Sequence, residues 1–147
     1  MHLIAFNQDS TLGSLLLEHG ASPNTVMLDG QSPLHIACST ACSQLVTDLL
    51  KYGSFVNSVD NEGETPLHWA VREGQVQAVK NLLSGGACVD AINEDDETPL
   101  HLALELGEVG IAEVLLMYNA SAMARDINGA TPVHYAASLD LKHTQGN

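Results

Sequence analysis

Residues 64–74 read E-T-P-L-H-W-A-V-R-E-G. Taken alone, Thr65, His68 and Glu73 form an inventory for nucleophilic or general-base chemistry. The same letters also describe a helix start, with Thr65 as N-cap and Pro66 at the first helical position, where a missing N–H costs nothing. Recurrence decides between the two. Ser32 to His35 reads S-P-L-H, Thr98 to His101 reads T-P-L-H, and Thr131 to His134 reads T-P-V-H, each 33 residues from the next. A second landmark, a leucine pair followed by a turn, keeps the same step and ends at Asn24, Asn57 and Asp90, with a weaker copy at Met123. Copies of two landmarks held in phase mark a repeat array, in which Thr65 and His68 are scaffold.

The stretch from Asp60 to Ile92 shows what one copy encodes. D-N-E-G supplies a turn, with Gly63 free to take positive φ. Leu67, Ala70 and Val71 give a short first helix an apolar face, and Gly74 breaks it. A second helix follows with Val76, Val79, Leu82 and Leu83 facing inward, and Gly86 ends it as a left-handed C-cap. Two such short helices bury too little by themselves, so each copy must stack on its neighbours.

These residues resemble the ankyrin repeat, a 33-residue unit carrying T-P-L-H-x-A, a β-turn and two helices. The resemblance spans essentially the whole chain. It implies an all-α fold, an ankyrin-repeat solenoid of stacked helix-turn-helix units joined by β-turn or hairpin loops. A single domain over 1–147 is expected: a partial repeat at 1–26, full repeats at 27–59, 60–92 and 93–125, and a half repeat with a polar tail at 126–147. His2 aligns with His35, and Thr144, Gln145 and Asn147 fall where Ile111, Ala112 and Val114 build a second helix. Ends of this kind read as those of a piece of a longer chain, the alternative being a natural stop at the polar tail. Four positions depart from the pattern: Asp96 and Asn119 stand at glycine positions that need positive φ, which Asp and Asn tolerate best, and Ala41 and Asp140 replace the interhelix glycine.

The resemblance also assigns a structural role to the recurring histidines. His35, His68, His101 and His134, with their caps Ser32, Thr65, Thr98 and Thr131, are expected to tie each helix start to neighbouring backbone. They form a ladder with steps of roughly 10 Å, whereas a metal site or a triad needs convergence on one centre. His68→Ala should therefore lower stability by about 1–2 kcal/mol and abolish no activity. Trp69 aligns with Ile36, Leu102 and Tyr135 and reads as packing. No phosphate-binding glycine loop, H-E-x-x-H, G-x-S-x-G or paired-carboxylate pattern is present. The expectation is no enzyme, no cofactor and no metal.

Bulk properties narrow the partners. The 147 residues carry five Lys and Arg against eighteen Asp and Glu, a net charge of −13. Such a surface repels phosphate backbones and anionic lipid, which argues against direct nucleic-acid or membrane binding. Cys38, Cys42 and Cys88 have no zinc-type pairing and read as reduced thiols. The start M-H-L-I-A-F-N-Q-D lacks a basic n-region, and no apolar run approaches the roughly 20 residues of a membrane span. A cytoplasmic or nuclear, monomeric domain is expected.

In ankyrin arrays, contacts usually come from the turn tips and the exposed face of each first helix, which line a concave groove. Carried onto this chain residue by residue, the candidates are Asp29, Glu62, Glu64, Glu94, Asp95, Glu97 and Ile127 at the tips. Arg72, Glu73, Glu105, Leu106 and Leu139 are the candidates on the first helices. Phe6, Asn7 and Leu28 occupy matching places. The acid run Glu94 to Glu97 is either solvated surface or a ridge that recruits a basic, or mixed basic and apolar, segment of a partner protein. Asn24 and Asn57 lie eight residues after a leucine, a context in which family members can be asparaginyl-hydroxylase substrates; the alternative is turn hydrogen bonding. The function expected is a non-catalytic protein-interaction module within a larger scaffold or regulatory protein. The alternatives are a recruiting segment of a multidomain enzyme, ubiquitin-ligase adaptor or channel, and a stand-alone inhibitor of a basic-surfaced transcription factor.

Overall fold

The computed structural model describes residues 10–40 and 42–145, with side-chain surroundings from 12 to 139. His2, Phe6, Asn7, Ala41 and Asn147 lie outside the described residues. Among the described residues there are eight helices and no strand: α1 (Ser10–Glu18), α2 (Pro33–Ser39), α3 (Ser43–Lys51), α4 (Pro66–Arg72), α5 (Val76–Ser84), α6 (Pro99–Glu105), α7 (Val109–Met117) and α8 (Pro132–Gln145). The first helices α2, α4, α6 and α8 pack in one row, and α1, α3, α5 and α7 in a second. The chain is an all-α solenoid of helix-turn-helix units.

The first helices α2, α4 and α6 start in the same way. Thr65 is extended (φ −86°, ψ 166°), its hydroxyl accepts the His68 N–H, and Pro66 follows at the first helical position. His68 stands three residues on, where a capping box normally has Glu or Gln, and its ring takes the Thr65 N–H at 3.1 Å. Ser32 with His35 and Thr98 with His101 repeat this geometry. The apolar residue between Pro and His is then driven inward: Leu34, Leu67 and Leu100 are at most 1% exposed. In the fourth unit the equivalent Val133 is 70% exposed. Among the described residues no following unit covers it, as one covers the other three.

The second helices bury Leu45, Val46 and Leu49 on α3, Ala78, Val79, Leu82 and Leu83 on α5, and Ile111, Ala112 and Leu115 on α7. Val76, expected to face inward, is exposed. At 100° per residue it sits about a quarter-turn from the centre of the arc set by Ala78, Val79, Leu82 and Leu83, and Ala78 takes the inner place. The positive φ expected at Asp96 and Asn119 is present, at 58° and 67°. Gly74 (φ 66°) and Gly107 (φ 74°) end their first helices in the left-handed region. Asp140 stands at that position in the last unit, and α8 runs through it to Gln145 without a break. The expected short helix followed by a polar tail is thus replaced by one 14-residue helix.

Side-chain acceptors tie each unit to the next. Asn24 Oδ1 accepts the Phe55 N–H at 2.8 Å, Asn57 Oδ1 the Cys88 N–H at 2.8 Å, and Asp90 Oδ1 the Ser121 N–H at 2.9 Å. Met123, the weak copy, carries no acceptor at that position. Cys38 and Cys42 are buried and Cys88 is exposed. Burial pushes the Cys38 thiol far up, which keeps it protonated and unreactive. A maleimide is expected to modify Cys88 within minutes under native conditions and Cys38 only on unfolding, as intact-mass spectrometry would show.

Candidate functional site

The tips are short hairpins closed by one backbone bond across four residues: Asp60 N–H to Glu64 O (3.0 Å), Asn93 N–H to Glu97 O (3.2 Å) and Asp126 N–H to Ala130 O (2.9 Å). The first residue of each also folds its side chain over the turn. Asp60 Oδ1 accepts from the N–H of Glu62 and Glu64, Asn93 Oδ1 from Asp95 and Glu97, and Asp126 Oδ1 from Asn128 and Ala130. These are Asx-type turns, and they hold the tips in one shape. Neighbouring tips are joined by Asn61 N–H to Asp29 O (3.0 Å), Glu94 N–H to Glu62 O (3.2 Å) and Ile127 N–H to Asp95 O (2.8 Å). The recurrence of Asp60, Asn93 and Asp126 at the 33-residue step was the signal in the sequence for this role.

The histidine ladder supports the tips from beneath. His35 Nε2 bonds the Glu64 carbonyl at 2.9 Å, His68 Nε2 the Glu97 carbonyl at 3.0 Å, and His101 Nε2 the Ala124 and Ala130 carbonyls at 3.1 Å. In each ring Nδ1 accepts a backbone N–H from the cap residue, so the proton of the neutral ring lies on Nε2, which donates. Burial holds His35 and His68 below the ordinary histidine pKa, against the raising effect of the carbonyl bond and nearby carboxylates. His134 keeps the bonds to Thr131 but is exposed, and its Nε2 bonds no carbonyl among the described residues. Trp69 packs edge-on against His35, and Tyr135 tilts against His101. Their polar ends donate to Asp60 and Asp126.

Several expected contact residues are engaged elsewhere. Glu64 is 4% exposed. It receives Arg72 Nη2 at 2.7 Å, Arg72 Nε at 3.0 Å and Asn93 Nδ2 at 2.9 Å. Burial pushes this carboxyl up, but those bonds and the charge of Arg72 outweigh it, and its pKa is lowered. Glu64 is not at a tip at all: it closes the hairpin, and its side chain turns back along α4. Arg72, half-exposed, is committed to this pair, with Glu97 a further 4.0 Å away. Glu97 is itself half-buried and accepts from Asn93 Nδ2 at 3.1 Å. Leu139 is half-buried as well, because α8 leans on the α6–α7 turn.

The remaining candidates do form a surface. Asp29, Glu62, Glu94 and Asp95 are exposed along successive tips, with Glu73 and Glu105 exposed at the ends of α4 and α6. Leu28 is 104% exposed and Ile127 61%; Leu106 is exposed beside Glu105. Two hollows lie in this surface. One, of about 150 Å³, is lined by Asp60, Glu62, Trp69 and Glu73 with the Glu64–Arg72 pair. The other, of about 340 Å³, lies between α6 and α8. Among the described residues, no three His, Cys, Asp or Glu side chains gather as a metal site would require.

The family model described as ankyrin repeats (3 copies) matches residues 1–93, and one described as ankyrin repeats (many copies) matches 82–136. The chain belongs to the ankyrin-repeat family. A search of curated proteins returns no match to it. Ankyrin repeats are generally protein–protein interaction modules and typically non-catalytic. In this ankyrin chain, no helix among the described residues is long and apolar enough to cross a membrane.

Proposed function

We propose that the chain is a non-catalytic protein-binding module that uses the surface of its tips and first helices, a concave and acidic groove, to hold a basic segment of a partner protein. The observation that carries this reading is the charge balance of the surface. Glu62, Glu73, Glu94, Asp95 and Glu105 are exposed there, while Arg72 beside them is bonded to Glu64 and Arg125 at the last tip to the Gly129 carbonyl. Uncompensated carboxylates held on rigid hairpins favour a partner rich in Lys or Arg, with fast, salt-sensitive association. The recurring Thr and His side chains serve the scaffold in this reading, and no reaction is assigned to them. The domain acts within a scaffold or regulatory protein.

The test reverses Glu94 and Asp95 to Lys together, leaving the half-buried Glu97 intact. Affinity for partner protein captured from extract is expected to fall about tenfold or more, with circular dichroism unchanged. Undiminished affinity in this double variant would remove the acidic groove from the account.

A further inference from the structure

The cavity between α6 and α8 differs in chemistry from the rest of the acidic surface. One wall is the end of α6, with Leu104 and Glu105; the other is α8, with Tyr135, Ser138 and Leu139; Ala130 adds the tip side. Leu104, Tyr135 and Leu139 are half-buried, so apolar surface is presented without being covered. The walls are fixed from behind. The Tyr135 ring lies 5.1 Å from His101, and its hydroxyl donates to the Asp126 carboxylate. A volume of about 340 Å³ lies at the low end of the range for ligand pockets, roughly 300–1,000 Å³.

The carboxylates at the cavity have distinct roles. Asp126 is fully used, by two backbone N–H groups at 2.9 Å and by the Tyr135 hydroxyl. Tyr135 and Asp126 hold each other's protonation: the hydroxyl bond lowers Asp126, and burial with that bond raises Tyr135. Glu105 is exposed and makes no hydrogen bond or ion pair among the described residues. A carboxylate with no direct partner, within reach of Arg72's charge only at a distance, thus stands on the rim of a largely apolar hollow. A second copy of the chain is a poor occupant, because five Lys and Arg against eighteen Asp and Glu make two copies repel.

We propose that this cavity receives one large apolar side chain, aliphatic or aromatic, from the partner's segment, with an adjacent Lys or Arg of that segment held by Glu105. The inference rests on the acidic-groove reading and adds a sequence preference to it. Charge alone would accept any basic stretch; the cavity selects those carrying an apolar anchor, the kind of buried contact that dominates interfaces.

The test uses fluorescent twelve-residue peptides of Lys, Gly and Ser that differ only at the centre, Leu or Phe in one set and Ser in the other. Fluorescence anisotropy at low salt is expected to show the Leu or Phe peptides binding about tenfold or more tighter than the Ser peptide. Ser138→Trp places an indole in the hollow from an exposed helix position. It is expected to erase that difference by bringing the Leu and Phe peptides down to the Ser peptide's level. Methyl shifts of Leu104, Leu139 and Ala130 on adding the Leu peptide give a readout that needs no variant. Equal affinity of the two peptide sets overturns the cavity proposal and leaves the acidic groove standing. Failure of every peptide to bind at low salt overturns both, and an unchanged affinity of the Leu peptide after Glu105→Lys overturns the assigned role of Glu105.

Discussion

Arg72→Ala is expected to destabilise the protein by about 1–3 kcal/mol at neutral pH, and by less as the pH falls. Arg72 reads in the sequence as an exposed groove residue, whose loss would touch binding alone. In the structure its guanidinium makes two hydrogen bonds, 2.7 and 3.0 Å, to a carboxylate that is almost wholly buried. Truncation leaves Glu64 with Asn93 as its remaining side-chain partner and a buried charge that is poorly compensated. The Arg72 side chain is 44% exposed, so solvent screening limits the loss to the lower part of what a fully buried pair would show.

The pH dependence separates this from a generic packing defect. In the native protein the Glu64 pKa is lowered. Its contribution is therefore present above the ordinary carboxylate value of about 4.3 and is lost as pH falls through the folded value. Without Arg72, burial governs and the pKa moves upward. Protonating Glu64 then relieves the buried charge, so the variant's deficit narrows as pH falls toward about 4. Adding Glu64→Gln to Arg72→Ala should restore much of the loss at pH 7. Thermal melts of the unaltered protein and of these two variants from pH 7 to pH 4 check both statements.

His68→Ala is expected to cost about 2–4 kcal/mol, more than the sequence alone suggests. His68 is wholly buried, and its removal leaves a cavity together with an unpaired Thr65 N–H and a Glu97 carbonyl that keeps only the Asn93 N–H. His134→Ala, the same letter at the last rung of the ladder, should cost under about 1 kcal/mol, since its ring is exposed and among the described residues bonds only its own cap. The pair of variants tests the ladder itself. The pH profile again carries a sign. His35 and His68 are held below the ordinary value by burial, so the fold favours neutral rings. That stabilisation is full above about pH 6.5 and is lost as pH falls below it. Melting temperature should drop between pH 7 and pH 5, and the drop should shrink in His68→Ala.

The fold was legible because its signals are local and repeated. Thr65-Pro66 sets a helix start, glycine ends it, and 33-residue phase does the rest. The left-handed backbone at Asp96 and Asn119 was readable for the same reason, since alignment with glycine fixes the geometry those positions must adopt. Glu64 was not readable as buried. Its fate depends on Arg72 folding back eight residues and on Asn93 arriving from the next unit, and neither is implied by a turn position. Leu139, expected to be exposed, is half-buried against the α6–α7 turn, a contact that its place on the first helix does not imply. Asp60, Asn93 and Asp126 carried a visible repeat that points to the Asx turns, and it was the acid run beside them that drew the eye instead.

Carbodiimide coupling in cell extract tests the central claim most directly, because it joins carboxylates to partner lysines at contact distance. With the protein at low salt, cross-linked peptides are expected to centre on Glu94, Asp95 and Glu105 and to vanish at high salt. Glu18 and Glu113, exposed on the second-helix row, should remain uncoupled. Cross-links concentrated on Glu18 and Glu113, or unchanged at high salt, would contradict the assignment of the acidic groove as the binding surface.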